Sequence, residues 1–409
     1  MDNKNKQQIL EGSNAIAQTI KNIKPAVVSA YPITPQTHIV EDLAKFKADG
    51  EANYEYVRAE SEFAAASIVL GASAAGARAY SATSSQGLLL MAEVIYNIAG
   101  MRLPIIMTCA NRAVSAPINI WNDQQDVMAV RDAGWILLFA ENHQEAVNQH
   151  IMAFKIAEQL KLPVMVNVDG FIMTHSYEPV FIPTAEQIKK YLPDYKPETG
   201  QYLDAANPAT LGALATPAHY MEIRQELHDD LISSLKIIDQ EYKKYKSLIG
   251  NWKLEIGNLE NKLKNKIDNG LIEYVGPDKP DTVLVAMGSV CGTIKQTVSE
   301  QPGKPLSLLR RGGGEVGVLK IKCFRPFPEK EILNILKSAK HIAVLDKSIS
   351  LGQIGCLASD IKAIAQGKIK ANISNFIVGL GGRDITGEMI KKIIKQAGKN
   401  INGAIFVGK

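Results

Sequence analysis

Short apolar runs alternate with helix-length stretches along two long parts of this chain, and that rhythm constrains the fold more than any other feature. Strand-like runs fall at residues 26–30, 54–57, 78–82, 103–108 and 163–168. The intervening pattern predicts helices over 9–22, 37–48, 61–75 and 144–160, with another ending at Asn97. Strands joined by connections of helix length cannot pair as hairpins. They form a parallel sheet covered by helices. The stretch from Ser61 to Ala75 is rich in Ala and Ser and carries charge only at its start. Such a helix is expected to be buried on all sides.

The rhythm breaks in the middle. Residues 173–218 are rich in Pro, Thr and Tyr and read as a long surface excursion. Residues 219–269 read as a polar, Lys/Glu-rich helical stretch, either an arm toward another subunit or a solvated helix pair. From Thr282 the alternation returns, with strands expected in TVLVAMG, VGVLKIKCF, HIAVLD and NISNFIVG. This predicts two α/β domains, 1–270 and a smaller 271–409.

Several function classes fall away on composition. A net charge of +4, spread along the chain, does not describe a nucleic-acid surface. No apolar run reaches the roughly 18 residues of a membrane span, and the polar N-terminus is unlike a signal peptide. Cys109, Cys291, Cys323 and Cys356 lie far apart and make no CxxC pair, so local spacing offers neither a zinc site nor an iron–sulfur cluster. Scattered cysteines fit a reducing, cytoplasmic setting.

The local candidates start at Tyr31-Pro32-Ile33-Thr34-Pro35, where the first strand runs into a loop stiffened by two prolines. Each proline fixes its own φ and restricts the residue before it, so Thr34 is constrained from both sides. The loop is either an ordinary strand-end turn or a rigid platform for a hydroxyl. Glu60-Ser61-Glu62 opens the Ala-rich helix. Its acids favour the helix dipole, or one of them has a chemical task. Glu62 borders the apolar residues Phe63–Ala66 and is the one expected to lose water. Thr83-Ser84-Ser85-Gln86-Gly87 is a hydroxyl-rich strand-to-helix turn, suited to capping or to an anionic or polar ligand. Arg112 follows a strand end, where open α/β sheets bind ligands, and its fork suits a carboxylate. A plain surface arginine is the alternative. Asn122-Asp123-Gln124-Gln125-Asp126 is a dense polar cluster that residue type alone does not explain. Gly312-Gly313-Gly314-Glu315-Val316-Gly317 matches GxGxxG in letters, but it precedes a strand, so it reads as a glycine turn.

Taken together, AYPITP (30–35), ESEFAAASIVLGASAAGAR (60–78), SATSSQGLLLM (81–91), TCANRAVSAP (108–117) and NDQQD (122–126) resemble the alpha subunit of pyruvate:ferredoxin oxidoreductase and the wider 2-oxoacid:ferredoxin oxidoreductases. MGSVCGTIK (287–295), VLKIKCFRPFP (318–328) and GLGGRDIT (379–386) fit the second domain of that family. The resemblance implies a pyrimidine-type thiamine-diphosphate-binding domain followed by a transketolase C-terminal-like domain. It implies that Thr34 and Arg112 bind the 2-oxoacid and that Glu62 faces N1′ of the aminopyrimidine. Tyr31, Pro32, Ser84, Ser85 and Gln86 then line the cofactor. It implies an oxidative decarboxylation of pyruvate with coenzyme A and ferredoxin, or of 2-oxoisovalerate as the second reading.

The diphosphate motif of thiamine enzymes is GDG followed by Asn, whereas this chain has Val168-Asp169-Gly170 followed by Phe-Ile-Met-Thr-His. The resemblance therefore implies half a site, with no metal ligand on this chain. Mg and [4Fe–4S] clusters would sit on beta and ferredoxin-like gamma and delta subunits. A transketolase-like enzyme, or a nucleotide-binding or structural subunit using the glycine turn, would be the competing classes.

Overall fold

A computed structural model describes residues 7–249, 266–299, 315–399 and 403–409 of the chain. Its centre is two seven-stranded sheets. The first runs, edge to edge, Cys323–Arg325, Ile136–Phe139, Val164–Asp169, Ile106–Asn111, Ala79–Thr83, Val27–Ala30 and Glu55–Arg58. All its pairings are parallel except that of Cys323–Arg325 with Ile136–Phe139. The three central strands Ala79–Thr83, Ile106–Asn111 and Val164–Asp169 are buried along their whole length, as helices on both faces require.

The second sheet runs Ala404–Phe406, Asn372–Ile377, His341–Asp346, Thr282–Ala286, Val316–Ile321, Ile272–Val275 and Lys266–Asp268. Its last two strands are antiparallel additions. Buried ion pairs join the two halves. Lys320 Nζ lies 2.6 Å from Glu141, 2.7 Å from Glu273 and 3.1 Å from Glu145, and Lys295 Nζ lies 2.7 Å from Glu141. These five charges would be costly to leave unpaired at low exposure, so this network fixes how the halves meet.

The structure departs from the sequence reading in several places. Residues 8–11 are a strand, not the first turn of a helix, because they pair with Tyr177–Val180 from inside the surface excursion. The helix then runs Gly12–Ile23. The expected strand at 103–108 sits three residues later, where Ile106–Asn111 is in register with both neighbours. Ile136–Phe139 was not anticipated as a strand. The run VGVLKIKCF splits, with Val316–Ile321 in one sheet and Cys323–Arg325 crossing to the other. The polar stretch after residue 216 contains one 32-residue helix, Pro217–Leu248, started by a proline in its first turn. Residues 312–314 of the glycine-rich turn and residues 250–265 lie outside the described residues. The Ala-rich helix, Glu62–Ala74, is not buried on all sides. Ala65, Ala66 and Val69 face the core, while Phe63 on the other side is 41% exposed.

Candidate active site

The site assembles at the carboxyl ends of the first sheet's strands, where an open α/β sheet leaves a crevice. The loop after Val27–Ala30 is anchored from beneath. Buried Gln36 donates from Nε2 to the Ala82 carbonyl at 2.7 Å, and its own amide donates to Ile33 O at 2.8 Å. Pro35 packs against Gly170, where a Cβ would stand only 2.5 Å from the ring. Tyr31, Pro32 and Thr34 are left exposed at the rim, and the Thr34–Pro35 peptide is cis.

Arg112 comes to this loop from the end of Ile106–Asn111, two strands away in the sheet. Its Nη1 donates to the Thr34 carbonyl at 2.8 Å and its Nε to the Asn119 carbonyl at 3.0 Å. Nη2 has no hydrogen-bond partner among the described residues. The side chain is therefore aimed by two fixed carbonyls, with one edge of the fork available. Burial lowers its pKa from the ordinary value, and nearby Asp126 works against that shift.

Asp126 is the residue that the sequence left undecided. It is wholly buried and accepts hydrogen bonds from the backbone amides of Ser85 and Arg112, each at 3.0 Å. Asn111 Nδ2 and the Val127 amide add to its shell at 3.0 and 2.8 Å, and the Cys109 thiol lies 3.5 Å away. Burial pushes this carboxyl up, and the four donors oppose the rise. One carboxylate thus fixes the backbone at two strand ends, next to the turn that carries Gln86 and next to the guanidinium.

Glu62 is 7% exposed and sits one residue inside its helix, after Ser61, whose Oγ caps Ala64 N at 3.1 Å. Its carboxylate lies over Gly87. A Cβ on Gly87 would fall 2.7 Å from Glu62 Oε1 and 2.6 Å from Thr83 Oγ1, so only glycine leaves room there. Beside it, Thr83 Oγ1 and Gln86 Nε2 are buried without partners among the described residues. Orphaned buried polar atoms next to a carboxyl are unusual and need an explanation. Ser84 and Ser85 are differently placed. Both are fully buried, and their hydroxyls donate to the Ala110 carbonyl at 2.7 Å and the Ala113 carbonyl at 2.5 Å. Their side chains build the turn and do not cap the helix it opens.

Asp169 closes the back of the crevice. Its carboxylate takes Lys347 Nζ at 2.9 Å, Ser289 N at 2.9 Å, the Ser289 hydroxyl, Asn122 Nδ2 at 3.2 Å and Gln124 Nε2 at 3.3 Å. Burial pushes its pKa up, but Lys347 and Ser289 outweigh burial and hold it below the ordinary carboxylate range. The carboxylate is thereby committed to joining the halves of the chain. The glycine-rich segment of the second half meets the same cluster, with Gly382 N donating to Asn122 O and Gly381 N to Asp123 Oδ2, at 2.6 and 3.2 Å. All four cysteines are buried, and burial raises each thiol, so none is poised as a thiolate.

A parallel sheet presenting a buried glutamate at a helix start, two orphaned polar atoms beside it and an arginine held to a rigid loop is an α/β protein with a ligand crevice at its strand ends. Residues 18–244 match the family described as pyruvate flavodoxin/ferredoxin oxidoreductase, thiamine diphosphate-binding, and residues 280–390 match pyruvate:ferredoxin oxidoreductase core domain II. The chain belongs to the pyruvate:ferredoxin oxidoreductase family. Pyruvate synthase subunit PorA of Methanocaldococcus jannaschii is 46% identical over 96% of this chain and 95% of its own length. Ketoisovalerate oxidoreductase subunit VorA of Pyrococcus abyssi is 40% identical over 97% and 94%. The 2-oxoglutarate:ferredoxin oxidoreductase of Magnetococcus marinus, solved with 2-oxoglutarate, coenzyme A and succinyl-CoA, superposes with a TM-score of 0.67 at 19% identity. That match covers 96% of this chain and 65% of the other, so it speaks for the fold alone. Among the described residues, no helix is long and apolar enough to cross a membrane.

Proposed function

We propose that this chain is the alpha subunit of a multi-subunit pyruvate:ferredoxin oxidoreductase, which makes acetyl-CoA and CO2 from pyruvate and coenzyme A and passes the electrons to ferredoxin. The observation that carries the reading is the joining of Arg112 to the Thr34 loop, 78 residues apart in sequence, with one edge of the guanidinium left for a carboxylate. Arg112 would hold the 2-oxoacid carboxylate there, and the Thr34 hydroxyl would bond the substrate from the rim. Glu62 would hold a proton at N1′ of the aminopyrimidine, and Gln86 and Thr83 would meet the same ring with their unpartnered atoms. Tyr31 and Pro32 would wall the pocket. Ser84 and Ser85, with hydroxyls already engaged, would contribute through the shape of the turn. Bound thiamine diphosphate would supply the electron sink that decarboxylation needs.

The diphosphate and its Mg would be held by a beta subunit, which would also carry [4Fe–4S] clusters, with gamma and delta subunits leading to ferredoxin. Two features support a shared site. The Asp169 carboxylate is already enclosed by donors of this chain, and Phe63, next to Glu62 in sequence, and Leu90, on the helix that carries Gly87, leave apolar surface exposed. We also propose a domain division at residue 270, with Cys323–Arg325 as a strand lent back to the first domain. 2-Oxoisovalerate is the second reading: the VorA relative, at 40% identity, stands below the PorA relative at 46%, which supports pyruvate first. The test is to purify the native complex and compare kcat/KM for the two acids with ferredoxin as acceptor. Preference for 2-oxoisovalerate would replace pyruvate as the substrate. Turnover without partner subunits, or tight metal-dependent cofactor binding by this chain alone, would overturn the shared site.

A further inference from the structure

A second cluster lies on the other side of the Thr34 loop. The strand Gln8–Glu11 ends with Glu11 paired opposite Tyr177, which places its carboxylate beside His175. The helix that follows the loop, Thr37–Ala48, brings in His38 on its first turn. One ligand atom from each of Glu11, His38 and His175 can be chosen so that all lie within 4.8 Å of one another. Glu11 Oε1 is 2.8 Å from His38 Nδ1, and the two imidazoles face each other with centroids 4.5 Å apart.

The surroundings are those of a ligand set. His175 Nδ1 lies 2.7 Å from Thr174 Oγ1, which is itself fixed by the Phe171 amide at 2.8 Å. This leaves Nε2 as the His175 nitrogen free to coordinate. Metal-bound imidazoles are generally oriented in this way, by a hydrogen bond to the nitrogen that does not bind. Phe171 has φ +59°, and its ring packs against His175 at 4.6 Å, which fixes the turn and the imidazole plane. A simple Glu11–His38 pair would account for two of the residues but not for the convergence and orientation of the third.

We propose that Glu11, His38 and His175 bind a first-row divalent transition metal of the zinc class, with water in the remaining positions. Two imidazoles and one carboxylate suit Zn2+, Co2+, Ni2+ or Fe2+ and are poorly matched to Mg2+ or Ca2+. The ion would lock the helix behind the Thr34 loop to the turn behind Asp169.

The test is a titration of the chelator-treated full chain with Co2+. One equivalent should bind with visible ligand-field absorption, be displaced by Zn2+, and raise the melting midpoint. His38→Ala and His175→Ala should each weaken binding about 100-fold or more, since even loss of an orienting partner costs about 10–100-fold. Thr174→Val should fall within that lower range and Thr174→Ser should restore binding. Glu11→Gln keeps the side-chain shape and removes the charged ligand, so it decides the matter if a histidine variant fails to fold. No absorption beyond that of aqueous Co2+ with no change in melting would overturn the proposal. So would undiminished binding by folded His38→Ala, His175→Ala or Glu11→Gln.

Discussion

Replacing Asp169 by Asn keeps the side chain's shape and removes its charge, which isolates what the carboxylate does. Lys347 is 2% exposed, and Asp169 is its only ionic partner among the described residues. The substitution therefore strands an ammonium in the interior. Breaking a buried pair by removing one partner costs about 3–5 kcal/mol. At roughly 2 °C per kcal/mol for a large domain, the melting midpoint should fall by about 6–10 °C. Lys347→Met should cost less. The carboxylate would still be hydrogen-bonded by Ser289 through both amide and hydroxyl, and by Asn122 and Gln124. Its loss is nearer a single charged hydrogen bond, about 1.5–3 kcal/mol. The double variant should be milder than the sum of the two by about 2 kcal/mol, because neither ion is then left alone. The assay is calorimetric melting of the four proteins at neutral pH. The Asp169 pKa is depressed in the folded chain. Its stabilising contribution is therefore present above the unfolded value near 4 and is lost as the pH falls through the folded value. The Asn variant should lack that acid loss. If Lys347→Met costs as much as Asp169→Asn, or the two effects add, the clamp is misread.

Gly87→Ala should cut turnover of the assembled enzyme about as severely as Glu62→Gln, because the new methyl group displaces the Glu62 carboxyl, while far-UV circular dichroism stays unchanged. Normal turnover in either variant would remove Glu62 from the chemistry. Arg112→Lys should raise the KM for the 2-oxoacid at least tenfold, since an ammonium cannot reach both the Thr34 and Asn119 carbonyls and keep an edge for substrate. An unchanged KM would place the substrate carboxylate elsewhere. Burial raises the pKa of Asp123 to about 6, above its unfolded value near 4. Stability should therefore decline as pH rises from about 4 to about 6, and Asp123→Asn should flatten that decline in chemical denaturation measured across the range.

What could be read from the sequence depended on how local the cause was. Parallel strands, the stiff Thr34 loop and the carboxyl of Glu62 follow from residues that lie next to one another. The strand at Gln8–Glu11 exists because a partner arrives from residue 177, and periodicity holds no trace of that. The same is true of Cys323–Arg325, which leaves its own sheet for the edge of the other. Thr83 was legible only as a member of a hydroxyl-rich turn. Its orphaned oxygen became visible once Glu62 was brought over Gly87. No ligand spacing connects Glu11, His38 and His175, because three separate elements deliver them.

Asp126 shows why a polar cluster can defeat sequence reasoning and still matter most. By type it is one acid among five polar residues beside a tryptophan, and a solvated loop would have the same composition. In the fold it has no contact with water and uses both oxygens on backbone and side-chain donors from two strand ends. Alanine at this position would leave the Ser85 and Arg112 amides buried and unpaired, each at about 1–3 kcal/mol. It would also free the turn carrying Gln86 from the base of the guanidinium. The Arg112–Thr34 side and the Glu62–Gln86 side of the crevice, proposed above for substrate and cofactor, are thus held in register by a residue that lies outside both. Their separation should change when Asp126 changes, even though Glu62, Thr34 and Arg112 all remain in place.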